Sequence, residues 1–487
     1  MSDLMDAVTA IRDARAAYEE AEAYYYGRVG EVFASPAIKR RLEKTSGKHK
    51  INLAKRPVDA ILDRLELAAV SVAGDDEATE WLAGQWARNE MPLEALEVHW
   101  AAGVYGDAYL LVWPSEDDGE GDGRDVEMYY NSPLTTRVFY DPERPRQRRY
   151  AAKMWPESDR LRVTLYYPDR IERWVSREKT RGVAEADFEH YSEDGDEGSW
   201  PQPHDYGEVP VFHFRTRRPY GHPDHEDAYG PQDYLTKLAA TQLSTTDFHG
   251  FPQRWAISGA TDDGVAGFDD DDEAAAPKGE VSDLKAGAGE LWLLRNVDKV
   301  GQFDQADVSA FLDPMAAYVE MMAATTATPA HYFKPGSGVP SGESFRAAEG
   351  PLVVRVRRRQ LSCGATWRQV AELALRLGGR QGTVSVAWAP AQTIDDLDGW
   401  QAVKAKIDAG VPTGQALLEA GYTAGQVDAW LSGTSEEDFR SRVEVLALLG
   451  DAVQKLGAGA ALGVVSSEQV GALLSKLLDE QGEEPEA

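Results

Sequence analysis

Apolar positions along the chain change their spacing several times, and each change marks an element. Residues 3–26 carry them at helical spacing up to the aromatic run Tyr24, Tyr25, Tyr26 and the stop at Gly27, which predicts a helix. "INLAKRPVDAILDRLELAAVSV" sets Ile61, Leu62, Leu65 and Leu67 at mixed helical spacing before a β-like exit, and "PLEALEVHWAAGVYGDAYLLVWP" reads as a helix followed by a strand. Such alternation signals an α/β or α+β region. From Met128 to Phe214 the period falls to two in the short runs "TTRVFYD", "RYAAKMW", "RLRVTLYYP", "RIERWVS" and "VPVFHFR", separated by Pro, Asp and Gly. A meandering antiparallel sheet is expected there.

The helical period then returns. "GPQDYLTKLAATQLSTTDFHG" (230–250) has Leu235, Leu238 and Leu243 near helical spacing, and "DPMAAYVEMMAATTATP" (313–329) offers Asp313 as N-cap and Pro314 at the first helical position. Between them lies a β-like insertion, "PQRWAIS" on one side and "ELWLLRN" on the other, around the acidic stretch "DDGVAGFDDDDEAAAPKGE". Clustered carboxylates repel and build no core, so that stretch is expected to be a solvated, disordered loop. A long helix is predicted over about 342–378, interrupted at Gly350-Pro351, where a kink is expected because proline lacks the donor and clashes with the preceding turn. "GTVSVAWAP" is a strand, and from Thr393 the pattern is helical, with Ser466 or Ser467 able to cap the last helix and EEPEA fraying. No internal repeat is visible.

One stretch fits neither period. "HYFKPGSGVPSGES" carries Pro335, Gly336, Gly338, Pro340 and Gly342, whose backbone cannot be paired in a helix or ladder, so 331–341 is expected to be a loop projecting to where water reaches it. The helix that follows is rich in arginine.

Composition narrows the class. The chain has 487 residues, 43% hydrophobic and 27% charged, enough for two or more cores. No apolar run approaches the ~20 residues needed to span a bilayer. The start MSDLMDAVTAIRDARAAYEE is an acidic amphipathic helix and not a signal peptide, so export by the usual secretory signal is not expected. A single cysteine, Cys363, excludes intramolecular disulfides and thiolate-rich zinc sites, and it reads as a small buried helix residue. The net charge of −31 opposes tight nucleic-acid binding, which depends on neutralising phosphates. Such a chain can surround DNA without gripping it.

Candidate chemistry is sparse. "RPYGHPDHEDAYG" offers His222, His225, Asp224, Glu226 and Asp227, but in a Pro/Gly segment with no third histidine at a recognisable spacing, so it reads as a solvated connector. "SGES" (341–344) lacks the G-x-S-x-G pattern, a preceding strand and an S-x-x-K partner, and Ser341 reads as a helix N-cap. No phosphate-cradling P-loop occurs, and the aspartates 269–272 lack calcium-loop spacing. No catalytic residue, cofactor site or metal site is assigned. Arg355, Arg358 and Arg359, related by i, i+3 and i+4, share one helix face, where pairing with carboxylates of a neighbouring element or subunit competes with phosphate contact.

The order of these elements carries a resemblance. "KRPVDAILDRLEL" (55–67), "YGDAYLLVWP" (105–114), "FPQRWAISG" (251–259), "TTATPAHYF" (325–333), "SGESFRAAEGPLVVRVRRRQLSCGATWRQVAELAL" (341–375) and "VSVAWAP" (384–390), in that order, resemble the portal proteins of tailed bacteriophages, especially the branch common in phages of actinobacteria. The resemblance implies an α+β portal-like fold: a wing over 1–229, stem helices over 230–250 and 304–328, a clip over 251–303, a tunnel loop over 329–341, a kinked wing helix and strand over 342–390, and a helical crown over 391–487. Channel residues would be His331, Tyr332, Phe333, Lys334, Pro335, Gly336 and Ser337. The kinked helix would use Gly350, Pro351, Arg355, Arg358 and Arg359, and the clip Gln253, Arg254 and Trp255.

The family further implies a ring, usually of twelve copies, at one capsid vertex of the virion, assembled in the host cytoplasm. Its expected partners are other copies of itself, double-stranded DNA in the channel, the terminase large subunit, the major capsid and scaffolding proteins and a head-completion or adaptor protein, with no membrane and no cofactor. It would not be an enzyme. Two other readings remain at this point: a capsid-associated adaptor outside the ring, and a metal-dependent hydrolase or nuclease with an acidic site.

Overall fold

The computed structural model describes residues 2–28, 51–115, 125–177, 184–191, 200–250, 254–257, 299–302, 311–334, 342–392, 396–420 and 427. In chain order the elements are α1 (Asp3–Tyr25), α2 (Arg56–Leu62), β1 (Leu67–Val72), α3 (Asp76–Arg88), α4 (Met91–Tyr105), β2 (Asp107–Pro114) and β3 (Val126–Asn131). There follow β4 (Thr136–Tyr140), β5 (Arg148–Glu157), β6 (Arg160–Tyr166), β7 (Arg170–Ser176), β8 (Phe188–His190), β9 (Gln202–Pro203) and β10 (Val211–Arg215). The remainder are α5 (Tyr229–Gly250), β11 (Arg254–Ile257), β12 (Lys299–Gln302), α6 (Leu312–Thr325), α7 (Gly342–Leu377), β13 (Val384–Trp388), α8 (Asp396–Asp408) and α9 (Thr413–Glu419). They divide into two compact units, one of Met1–Glu19, Val58–Asp224 and Pro340–Ala487, the other of Glu20–Pro57 and His225–Val339.

The first unit is layered, and strand periodicity explains the layers. The meander β4-β5-β6-β7-β8, with β9 beside β7, forms as its alternation predicts. On one face Tyr150, Ala152 and Met154 of β5 and Val163 and Leu165 of β6 pack against Leu4, Ala7, Val8 and Ile11, the i, i+3, i+4, i+7 stripe of α1. On the other face Val138, Ala151, Tyr166 and Ile171 meet Tyr109, Leu111 and Val211. Here the sequence expectation needs correction: "VPVFHFR" does not extend the meander. It is β10 and pairs with β2, in a separate sheet ordered β10-β2-β3. Val211 to Phe214 are all buried, and a strand apolar on both faces needs a layer on each side, which an edge of the meander would not supply.

The far side of that sheet is covered by helices. Trp367 of α7 is fully buried, its ring 4.6 Å from Phe214 and 5.2 Å from Trp86, and its Nε1–H donates to Nε2 of His99 on α4 at 3.0 Å. The outer edge of β3 is closed by side chains rather than by another strand. Gln85 Oε1 accepts from Val126 N, Asn89 Oδ1 from Met128 N and Glu94 Oε2 from Tyr130 N. This is one way a sheet edge is protected from pairing with another chain. Between α4 and β2 stands Gly106 at φ 88°, where a Cβ would lie 2.5 Å from His222 N, so only glycine fits. β1 pairs antiparallel with β13, joining residues more than 300 positions apart.

In the second unit α5 and α6 pack through Leu235, Val319, Met322 and Ala323, with the rings of Tyr234 and Tyr318 stacked at 4.9 Å. β11 pairs antiparallel with β12, Arg254 opposite Gln302. "PQRWAIS" is therefore a strand, but its partner is Lys299–Gln302; "ELWLLRN", Gln253 and the acidic stretch 260–280 lie outside the described residues. α6 begins two residues before the expected start, with Phe311 at the cap instead of Asp313 and no side-chain capping bond. Asp313 sits inside the first turn, where its charge still meets the positive end of the helix.

Candidate functional site

The segment after α6 does not leave the helix pair at once. Thr326 donates its hydroxyl to Met322 O at 2.7 Å, and Tyr332 N, Phe333 N and Lys334 N bond back to Pro329 O and Ala330 O, so 326–334 is a compact turn. Phe333 is buried with Leu235 and Met322, Tyr332 packs against the same cluster, and Lys334 Nζ stands 3.2 Å from Glu320. Of the residues expected in a channel loop, His331, Tyr332 and Phe333 therefore belong to a packed anchor. Pro335, Gly336 and Ser337 lie outside the described residues, as does Ser341.

The arginine helix α7 resolves into two faces. Arg359 donates to Asp224 Oδ2 at 2.5 Å, and Arg355 donates to Asp224 O at 3.1 Å, with Oδ1 3.4 Å away. Arg358 does not join them; it is exposed. An α-helix turns about 100° per residue, so 355 and 359 differ by about 40°, whereas 358 and 359 differ by about 100°. The expected carboxylate pairing is present, within the chain, for two of the three arginines.

At Gly350-Pro351 the helix does not stop: α7 is one helix from Gly342 to Leu377 with Pro351 inside it. Proline deletes one bond, to the carbonyl of Ala347, and both residues are exposed there, so water can satisfy what the ring leaves open. Beside it Glu349, which is buried, accepts from Arg64 at 2.5 Å and ties this stretch to the chain after α2.

The segment around His222 is the solvated connector expected only in part, with His222, Glu226 and Asp227 exposed. His225 is fully buried, with Nε2 2.9 Å from Ala21 O, and Asp224 is committed to the arginines. Among the described residues no group of three or more His, Cys, Asp or Glu could hold a metal ion. Cys363 is buried, and burial pushes its thiol up to about 11, which leaves it unreactive.

Sequence reasoning missed a buried polar cluster. Asp107 Oδ2 accepts from Tyr18 OH at 2.7 Å, Oδ1 accepts from Gly221 N at 2.7 Å and lies 2.8 Å from His213 Nε2, and His213 Nδ1 is 2.9 Å from Tyr140 OH. Burial alone would raise the Asp107 pKa, but the bonds from His213, Tyr18 and Gly221 outweigh it and hold it below its usual value. Burial lowers the His213 pKa despite the carboxylate. The stable state is an ionised Asp107 accepting from a neutral His213, which accepts in turn from Tyr140. The aspartate and histidine are each 1% exposed, so the cluster fastens α1, β2, β4 and β10 together and offers no atom to a substrate. Its only trace in the sequence is a polar residue in each of two apolar strands, Asp107 and His213.

The described residues thus define a layered α+β protein whose polar clusters hold helices and sheets in register. A family model described as phage portal protein, SPP1 Gp6-like, matches residues 8–420, and the chain belongs to that family. It is 25% identical over 341 residues to the portal protein of Mycobacterium phage D29 and 23% identical over 343 residues to that of Mycobacterium phage L5. Each match covers 66% of this chain, and the chain spans 63% of the length of each of these relatives. A chain of the native gene transfer agent virion aligns over 83% of this chain and 93% of its own length at 14% identity with a TM-score of 0.43, a likeness on which nothing further rests.

Proposed function

We propose that this chain is the subunit of a portal ring at one capsid vertex of a tailed phage, and that the ring is the passage for double-stranded DNA in packaging and ejection. The observation that carries the reading is the order α5, β11–β12, α6, packed turn, α7 in a chain that matches the portal family over 8–420. On this reading 230–250 and 304–328 are the stem, 251–303 the clip with Gln253, Arg254 and Trp255, 329–341 the tunnel loop and 391–487 the crown. The expected assembly has twelve copies. The terminase large subunit and the head-completion protein dock on the ring, and the major capsid and scaffolding proteins surround it. An acidic wall suits this work: DNA sliding past one surface needs weak contacts, and a charge of −31 per copy keeps counterion release from trapping it.

Negative-stain imaging of the purified chain is expected to show rings with a central channel. Monomer alone under all conditions, with scaffolding and capsid protein included, would overturn the reading. For the loop, Lys334→Glu should cost under ~0.5 kcal/mol in stability, because Glu320 is exposed and Lys334 about a third exposed, where an ion pair is worth little. It should still reduce packaged or retained genome, since every copy carries the change. Normally filled particles that hold their DNA would remove Lys334 from the channel even with the ring intact.

A further inference from the structure

Two helix faces in the first unit have no partner among the described residues, and they complement each other. On α7, Val354, Leu361 and Ala365 are exposed at i, i+7 and i+11 and so form one stripe. Leu361 is 76% exposed, more than any other large apolar side chain among the described residues. Exposed Arg357, Arg358 and Arg368 flank the stripe, and none forms an ion pair among the described residues, in contrast to Arg355 and Arg359. On α4, Leu93 and Leu96 are 63% and 55% exposed, with Glu97 and the half-buried Trp100 continuing the stripe at i+4 and i+7 and Glu90 just before the helix. Glu90 and Glu97 are exposed and likewise pair with no cation among the described residues. The strand β3, which α4 packs against, adds exposed Glu127 and Tyr129, with Lys153 Nζ 6.0 Å from the Tyr129 ring centre.

A single exposed leucine means little. Here an apolar stripe framed only by arginine stands on one helix and an apolar stripe framed by glutamate on another. In a chain with 82 acidic and 51 basic residues, chance contacts between copies are mostly acid on acid, so an arginine-framed face is the exception that calls for an acidic partner. We propose that neighbouring copies join by seating the Val354–Leu361 face of α7 on the Leu93–Leu96 face of α4 of the next copy, with Arg357 and Arg358 meeting Glu90 and Glu97. The extents agree, since Val354 to Ala365 and Glu90 to Trp100 each cover about three turns, roughly 15 Å. Arginine suits the role because its planar fork meets a carboxylate with two bonds. Two different patches joined head to tail make a heterologous contact, which closes into a ring or runs on as a filament. Closure is taken from the portal reading; the pairing of the two faces is not. Duplex DNA is the poorer occupant, because Val354 and Leu361 offer phosphates nothing.

Charge reversal tests the pairing on the full chain by sedimentation and negative stain. Arg357→Glu/Arg358→Glu and Glu90→Arg/Glu97→Arg should each raise the half-assembly concentration by about tenfold or more, through like charges brought together. Below the assembly concentration the melting curve should stay unchanged, since these side chains form no ion pair within a copy among the described residues. An equimolar mixture of the two variants should assemble again, because each then offers the face the other needs, and the four-fold variant should assemble alone. Leu361→Ser should weaken assembly without a charge change. Wild-type rings together with normal rings from each separate variant would overturn the face assignment and leave the portal reading intact. Wild-type protein that never assembles would overturn both. Lost binding of a duplex oligonucleotide with assembly unaffected would reassign the α7 face to phosphate.

Discussion

Truncating Asp224 to alanine isolates what the inward arginines do. The carboxylate accepts from Arg359 at 2.5 Å, and the two side chains are 11% and 8% exposed, so the pair is nearly dry. The Nη1 of Arg359 is buried with no partner, so the guanidinium depends on this one carboxylate. Arg355 is 22% exposed and its bond to Asp224 O survives truncation, so it contributes less. Removing one member of a buried pair costs about 3–5 kcal/mol, because the other charge is left without compensation. The folded-to-unfolded ratio should therefore fall roughly a hundred- to several-thousand-fold. The backbone hydrogen bond that Asp224 N donates to Gly103 O is untouched, which confines the change to the side chain. Urea unfolding followed by tryptophan emission reads it, with Trp367 two turns further along the same helix and all variants held at one concentration. Asp224→Ala/Arg359→Met should recover most of the loss, since replacing both members by apolar groups is often neutral. A loss under about 1 kcal/mol in the single variant, or no recovery in the double, would show that the pair is solvated and that the argument from burial is wrong.

Two further outcomes follow from buried groups. Burial first, and the Arg359 charge second, push the His99 pKa down to about 3, and its Nε2 must stay unprotonated to accept from Trp367. The unfolded chain takes up that proton near pH 6.5, so the contribution is full above 6.5 and falls by up to about 1.4 kcal/mol per pH unit between 6.5 and 3. His99→Gln should flatten this part of the stability profile, and identical slopes in the two proteins would refute it. Phe333→Ala should cost about 3–5 kcal/mol if the turn after α6 is the anchor its packing indicates. A loss no larger than that of Lys334→Glu, read by the same unfolding assay, would return Phe333 to a free loop.

Where a single local rule governs, the sequence was sufficient. The aromatic stop of α1, the helix-then-strand order of α4 and β2, the alternation of the meander and the helix pair with its β insertion were all legible, because stops and periods act within a few residues. Failures arose where a distant partner decides. "VPVFHFR" alternates like its neighbours, and only burial on both faces sends it to β2. Pro351 stands inside α7, whose helix continues past it where the surroundings are exposed. His225 and Asp224 sit in a run of Pro, Gly and charge that reads as solvent-facing, and they are buried by α7 and by Ala21, neither visible from local spacing. The Asp107–His213 cluster unites residues 106 positions apart and has no motif at all.

On the portal function proposed above, an acidic chain with 51 basic residues would line a DNA passage, and its cations must then not hold the duplex. Many of the arginines are already spent inside the fold. Arg355 and Arg359 face Asp224, Arg64 faces Glu349, Arg148 meets Glu208, and Arg162 meets Glu157. A guanidinium that is paired and buried releases no counterions from a phosphate, so it adds nothing to the salt-dependent term that dominates DNA affinity. If Arg357, Arg358 and Arg368 are in turn covered by the next copy, assembly itself removes the largest free cationic face on α7 from the solution. The passage would then become less attractive to DNA as the ring forms. On this view the contact that joins copies and the low friction a sliding duplex needs have one cause, the pairing of arginine with carboxylate before DNA arrives.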